Sequence, residues 1–386
     1  MLEWAFTVLQ LALTAIIIGG IVYYFLGIIA ARKLVKKRPE NFSTENLFIS
    51  ILKPLKGVET GLEKYLESFY NLDYPTYELI FAVHTANDPA VEVVNRLRAR
   101  YPKVKARLVI AENPPYANAK VFSLEQMANV AQFDILVITD SDTSVSKDYL
   151  NAIATAFQSE RVGAVTNLYR GVSANDFWSK LEALGMSTEF MSGVIVAEWL
   201  EGMKFTLGPS MAIRKSNLAQ IGGFAAMADF LADDFVLGNW VAEKGADVVL
   251  STHVINHHAT SPGFLQSFKH RLRWNRSTRF SRPSGYIGQG FTYGLSWALL
   301  GVLLLPFPWS LAIFLVTVLV RFWLALEVGV RVLADKTVFR NLWLVPIQDL
   351  ISFASWVGGF LGSEILWRNR RFRIVAGGRF IPVETK

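Results

Sequence analysis

A chain of 386 residues, 52% of them hydrophobic and with a positive mean hydropathy, is too apolar for a purely water-soluble protein and long enough for one soluble domain plus membrane segments. Its formal net charge is +7, and basic residues gather beside apolar runs, at 33–38 and 368–373, as they do on the cytoplasmic side of a membrane. No nucleic-acid motif accompanies that charge, and with no cysteine the chain has no disulfide, thiolate nucleophile or Cys-ligated zinc.

Residues 6–31 carry no charge and suffice for a helix across a bilayer. Glu3 precedes them, and Arg32, Lys33, Lys36, Lys37 and Arg38 come after. A signal peptide carries its basic residues first, so this order predicts an uncleaved anchor that runs from outside into the cytoplasm. From Glu45 to His258 the pattern is α/β. Strands are predicted at 47–52, 78–83, 107–110 and 134–139, with helices such as 61–70 and 90–100 between them. That alternation implies parallel pairing, with ligands bound beyond the carboxyl ends of the strands.

Acids occupy those ends. Asp88, in Asn87-Asp88-Pro89, can accept hydrogen bonds from a base or ribose, or cap a helix that starts at Pro89. Asn118 and Lys120 follow the third strand; the lysine can pair with a phosphate or simply lie on the surface. Asp140-Ser141-Asp142 follows the fourth strand, where two carboxylates can hold Mg²⁺ or Mn²⁺ against a diphosphate, or form a solvated turn. Asp233-Asp234 opens an apolar helical pattern. These acids are either partners of the helix dipole or the source of a general base for an attacking hydroxyl.

Residues 263–282 read as a helix with Phe264, Leu265, Phe268 and Leu272 on one stripe and Lys269, Arg273 and Arg276 beside it, the pattern of a helix lying in the membrane interface. Trp274 falls off that stripe, so lipid binding alone does not account for His270-Arg-Leu-Arg273-Trp274. Residues 291–306 and 310–330, broken by Pro306-Phe307-Pro308-Trp309, predict two spans. A third apolar segment, 342–367, carries Gln348, Asp349 and Glu364 and leads into a basic tail, which predicts a re-entrant or interfacial piece. The expected division is an anchor and linker (1–44), a catalytic domain (45–262), an amphipathic helix (263–287) and C-terminal membrane segments (288–386).

Asp88, Asp140, Asp234 and Arg273-Trp274, in this order, resemble the D, D, D, (Q/R)xxRW signature of family-2-like glycosyltransferases with the GT-A fold. Ser50-Ile-Leu-Lys-Pro-Leu-Lys-Gly57, Asn71-Leu-Asp-Tyr-Pro75, Gly222-Gly-Phe224 and the tail from Trp367 to Arg373 are similar to the ceramide glucosyltransferase family. Arg282-Pro-Ser-Gly-Tyr286 looks like bacterial hopanoid glycosyltransferases. The resemblance implies a Rossmann-like α/β GT-A domain on membrane helices, cytoplasmic and at a bacterial inner membrane. It implies inverting transfer of a hexose from a UDP-sugar to a lipid hydroxyl: glucose to ceramide, or N-acetylglucosamine to a hopanoid as the alternative.

Residue by residue, it implies that Asp88, with Asn118 and Lys120, contacts the nucleobase side of the donor. Asp140 and Asp142 take the diphosphate and a divalent metal, and Asp234 is the base. Arg273 and Trp274 close over the diphosphate and acceptor, with His270 where the family motif has Gln or Arg. The rival readings are a processive polysaccharide synthase, which usually has more spans to form a polymer channel, and a membrane scaffold, which needs neither the three acids nor the Arg-Trp pair.

Overall fold

The computed structural model of the protein describes residues 1–39, 41–42, 47–174, 176–260, 263–367 and 370–383; the domain limits read at Glu45 and Pro262, and Arg368 of the basic tail, lie outside them. In chain order the elements begin with α1 (Leu2–Lys36), β1 (Ile49–Pro54), α2 (Leu62–Tyr70), β2 (Tyr77–Val83), α3 (Ala90–Arg100), β3 (Lys105–Ile110), α4 (Ala119–Val130) and β4 (Ile135–Thr139). There follow β5 (Thr143–Ser144), α5 (Tyr149–Ala156), β6 (Val162–Ser173), α6 (Phe177–Gly185), a π-helical turn (Met186–Phe190), α7 (Met191–Glu201), β7 (Ser210–Arg214), α8 (Lys215–Gln220), α9 (Asp233–Glu243) and β8 (Asp247–Ala259). The remainder is α10 (Phe264–Ser281), α11 (Pro283–Gly288), α12 (Gly294–Leu304), α13 (Trp309–Ala325), α14 (Lys336–Arg340), α15 (Val345–Gly359), β9 (Glu364–Trp367), β10 (Arg370–Ile374) and β11 (Phe380–Pro382).

Two compact units emerge, both discontinuous in sequence. One comprises 39–169, 201–258 and 367–386; the other comprises 1–38, 170–200 and 259–366. Residues 170–200 fall within the stretch read from sequence as the catalytic domain, yet they cluster with the helices.

The first unit is built on an eight-stranded sheet of order β3-β2-β1-β4-β7-β6-β8-β5. Its first half is parallel: Leu52 of β1 pairs with Ile80 of β2 and Ile138 of β4, and Phe81 of β2 with Leu108 of β3. The core strands β1, β2 and β4 are buried almost throughout, which is why each reads as an unbroken apolar run. The four strands predicted from sequence lie within two residues of β1 to β4. The second half departs from the expected parallel pairing: β7 lies antiparallel to β4 (Thr139↔Ser210) and to β6 (Val165↔Ala212). The C-terminal hairpin of β10 and β11 belongs to the same unit, where Phe380 N donates to Asp229 O at 2.8 Å and Arg379 bridges to Phe230.

In the other unit, among the described residues, three stretches are long and apolar enough to cross a membrane: Glu3–Lys36, Pro283–Leu304 and Trp309–Val332. Helices α1 and α12 meet at Gly20 and Gly294, so close that a Cβ on Gly20 would stand 2.5 Å from the Gly294 Cα. Helix α15 has 15 residues, a length of about 22 Å that falls short of the ~30 Å hydrocarbon core. Its polar groups face protein. Asp349 pairs with Arg321 at 2.7 Å, and Gln348 accepts from Arg271 at 2.8 Å, all four side chains being buried.

Helix α10 turns Ser267, Arg271 and Ser277 inward, while Phe264 and Leu265 of the expected apolar stripe are exposed. The face on α15 mixes polar and apolar groups: Arg271 reaches Ser352 and Asn275 reaches Ser355, while the half-buried Leu272 lies against Gly358.

Candidate active site

Four carboxylates of the sheet unit gather where strands end. Asp140 and Asp142 follow β4, and Asp233 and Asp234 form the first turn of α9. A lysine stands among them. Lys120 Nζ lies 2.9 Å from Asp140 Oδ1 and 3.2 Å from Asp233 Oδ2, on a side chain only 14% exposed. Burial pulls that lysine toward neutrality, but the charges of Asp140, Asp233 and Asp234 outweigh it and hold the ammonium above its ordinary range.

Lys120 is placed by Asn118. The Asn118 side chain caps α4 by accepting from the backbone of Lys120 and Val121 at 3.0 and 3.2 Å, and it donates to Phe230 O at 2.8 Å. Asn118 is thus fully buried and fastens α4 to the loop that leads into Asp233.

Asp234 is held by two backbone donors. Phe235 N–H meets Oδ1 and Gly208 N–H meets Oδ2, each at 2.8 Å. Gly208 lies in the turn before β7. That turn is pinned because Thr166 Oγ1 accepts from Leu207 N and donates to Ser210 O, and Thr206 Oγ1 donates to Asp234 O. A Cβ at Gly208 would fall 3.1 Å from Asp234 Oδ2 and 3.4 Å from Asp140 Oδ2, so both carboxylates converge on the bare face of this glycine. Burial, with the charge of Asp233 adding to it, pushes the Asp234 carboxyl up to about 6. Asp233 is more than a helix-start acid: it is buried and forms half of the ion pair with Lys120.

Asp142 faces His257, a residue that sequence reasoning missed. The two are 3.7 Å apart, and Asp142 Oδ1 and His257 Nδ1 are both buried without a hydrogen-bond partner. Burial raises the Asp142 carboxyl despite the opposing pull of His257. A signal was available, since three of the chain's five histidines fall in the last half of β8, at 253, 257 and 258. Among the described residues no three acidic or imidazole side chains close on a single point. The orphaned carboxylate and imidazole nevertheless suit a hard or borderline cation that takes its remaining ligands from phosphate oxygens and water.

Two further residues frame the unit. Asp88 lies just before Pro89, the N-cap of α3, and accepts from Ala90 N at 2.9 Å, and both of its oxygens also accept from Gly57 N at 2.9 and 3.0 Å. It therefore ties the loop after β1 to the start of α3. Lys53, also missed from sequence, is the next-to-last residue of β1 and fully buried, and burial holds its amine down to about 7 against the pull of Asp140 and Asp142.

His270, Arg273 and Trp274 lie on α10, in the helical unit. His270 Nδ1 pairs with the buried carboxylate of Glu182 at 2.8 Å, Ser267 Oγ meets the other Glu182 oxygen at 3.2 Å, and the rings of His270 and Trp274 are 4.1 Å apart.

Known proteins bear on this geometry. The profile of glycosyl transferase family 21 matches residues 12–380. Ceramide glucosyltransferase 1 of Caenorhabditis elegans is 24% identical over 347 residues, covering 86% of this chain and 72% of the relative. A beta-monoglucosyldiacylglycerol synthase of Trichormus variabilis is 27% identical over 212 residues, covering 51% of this chain and 42% of that one. In fold, the chain is similar to a mannosyltransferase of Pyrobaculum calidifontis solved in complex with GDP-Man and Mn²⁺, with a TM-score of 0.58 at 20% identity over 92% of this chain and 98% of the other. The architecture is the GT-A fold that the motif order implied, carried with three apolar helices suited to a membrane. Acids at strand ends and a family match over nearly the whole length lead to one conclusion: the chain is a glycosyltransferase and belongs to glycosyl transferase family 21.

Proposed function

We propose that this protein transfers glucose from UDP-glucose to the hydroxyl of a membrane lipid, ceramide, with inversion at the anomeric carbon, at the cytoplasmic face of a bacterial inner membrane. The observation that carries this reading is the gathering of Asp140, Asp233 and Asp234 around Lys120, with Asp234 held by two N–H groups and left ionisable near neutrality.

In the reaction the acceptor oxygen bonds to the anomeric carbon, the bond from that carbon to the β-phosphate oxygen breaks, and UDP leaves with the electron pair. Asp234 takes the hydroxyl proton as the new bond forms. Lys120 offsets negative charge growing on the diphosphate. Asp142 and His257, with Asp140 nearby, would hold Mg²⁺ or Mn²⁺, which when bound supplies charge to the leaving diphosphate. Asp88 is assigned to the nucleobase side, with Asn118 acting through the helix it caps, and His270, Arg273 and Trp274 to the diphosphate and acceptor.

A second acceptor, diacylglycerol, is favoured by the likeness to the beta-monoglucosyldiacylglycerol synthase over half the chain. The deciding experiment uses purified protein in vesicles with UDP-glucose, presenting ceramide, diacylglycerol or a hopanoid separately, with products read by mass and anomeric configuration. A β-linked glucosylceramide is the expected product. Glucosyldiacylglycerol alone replaces the acceptor, and polymeric or absent product defeats the lipid reading.

A further inference from the structure

Lys53 is the one charged residue in a strand that is otherwise mostly apolar. It is the next-to-last residue of the buried strand Ile49–Pro54 and has no solvent exposure. Burying an amine is costly unless its donors are met. What the lysine does is therefore to be read from its donors. Lys53 Nζ donates to Thr139 Oγ1 at 3.0 Å and to the backbone oxygen of Asp140 at 2.9 Å, and it stands 3.9 Å from the centre of the Phe69 ring.

Those acceptors bracket the last residue of β4 and the first acid after it. The same Asp140 oxygen accepts from Thr143 N at 3.3 Å, which closes the turn containing Asp142. Lys120 meanwhile holds the Asp140 carboxylate. Asp140 is thus gripped twice, by Lys120 on its side chain and by Lys53 on its peptide. We propose that Lys53 is a positioning residue for the transfer reaction: it fixes the peptide between Asp140 and Ser141, and so aims the Asp140-Ser141-Asp142 turn at the cation and diphosphate. This rests on the reading of Asp140 and Asp142 as the diphosphate and metal residues.

The test compares wild type with Lys53→Met by titrating Mn²⁺ into purified protein with UDP, monitored by electron paramagnetic resonance, alongside kcat and the thermal midpoint. Lys53→Met is expected to weaken Mn²⁺ binding about tenfold or more, as loss of a residue that orients metal ligands does. It should lower kcat at saturating metal by a similar factor, with the midpoint held within about 4 °C or raised. A merely structural lysine gives the opposite split, a fallen midpoint with Mn²⁺ affinity of the folded protein unchanged, and overturns the inference. Should Lys53→Met fail to fold, Thr139→Val decides, because it removes one of the two acceptors and keeps the lysine. About threefold weaker Mn²⁺ binding supports the role, and binding within about twofold of wild type overturns it. If wild type binds no Mn²⁺ with UDP, the metal assignment fails on its own, and kcat of Lys53→Met alone tests the positioning role.

Discussion

The N–H of Gly208 points at Oδ2 of Asp234 across 2.8 Å, and the missing side chain of that glycine leaves the space in which Asp234 and Asp140 converge. Gly208→Ala puts a methyl 3.1 Å from Asp234 Oδ2 and 3.4 Å from Asp140 Oδ2, so one or both carboxylates must shift by a few tenths of an ångström. A displacement of that size in a reacting group costs about tenfold in kcat. Stability should change by no more than about 1 kcal/mol, because the glycine needs no special backbone angle. Steady-state kinetics beside a thermal melt checks this, and a variant with wild-type kcat would show that the convergence has no part in turnover.

Asp234 and its neighbour separate by partner. Asp234→Asn keeps the shape of the site but removes the proton acceptor, and should lower kcat by ~10²–10⁴ while UDP-sugar binding persists. Asp233→Asn takes a charge from Lys120, so its effect should fall mainly on donor KM and be far smaller on kcat. Equal losses of kcat in both variants, or a larger one at Asp233, identify the wrong carboxylate as base.

The burial of Asp234 sets a pH profile. The carboxyl is held up to about 6, and it accepts a proton only when ionised. Turnover should be flat above that pH and fall about tenfold per unit below it, as the carboxylate is protonated. The residual activity of Asp234→Asn should lack this acid limb. An acid limb that survives in the variant assigns the titration to another group.

The fold was legible where burial makes sequence simple. Strands β1, β2 and β4 are buried on both faces and read as apolar runs, and α3 was bounded by Asp88-Pro89 at one end. The antiparallel half was hidden. Ser210–Arg214 is short, and its partners β4 and β6 lie far off in sequence, so nothing local marks the pairing. The acids of the site were visible as motif positions. Gly208 and Lys53 were not, because each gains meaning only through a contact made across the sheet, to Asp234 and to the Asp140 carbonyl, while His257 was marked only by the clustering of histidines in β8. Gln348 and Asp349 looked unfavourable at membrane depth until Arg271 and Arg321 were found facing them.

Metal dependence should localise to Asp142 and His257. Excess chelator should abolish turnover and added Mn²⁺ or Mg²⁺ restore it. His257→Ala should raise the metal concentration needed by about tenfold without altering acceptor KM. Full turnover in chelator removes the cation from the reaction.

Topology is open to direct labelling because the native chain has no cysteine. Gln158→Cys places a thiol on an exposed part of the sheet unit. An impermeant maleimide should leave it unlabelled in intact cells and label it after lysis, since the basic residues at 33–38 favour a cytoplasmic position for the sheet unit behind them. Labelling from outside reverses the orientation.

The hairpin that bridges Arg379 to Phe230 has a consequence for the order of events during synthesis. The loop it clasps runs directly into Asp233 and Asp234, yet the hairpin is separated from His258 by more than a hundred residues that belong to the helical unit. At ~5–20 residues per second, that intervening stretch takes roughly 5–20 s to emerge from the ribosome. For that interval the acids exist without their last support, and the membrane helices are made before the loop can be clamped. The nascent chain thus reaches its membrane before its catalytic unit is complete.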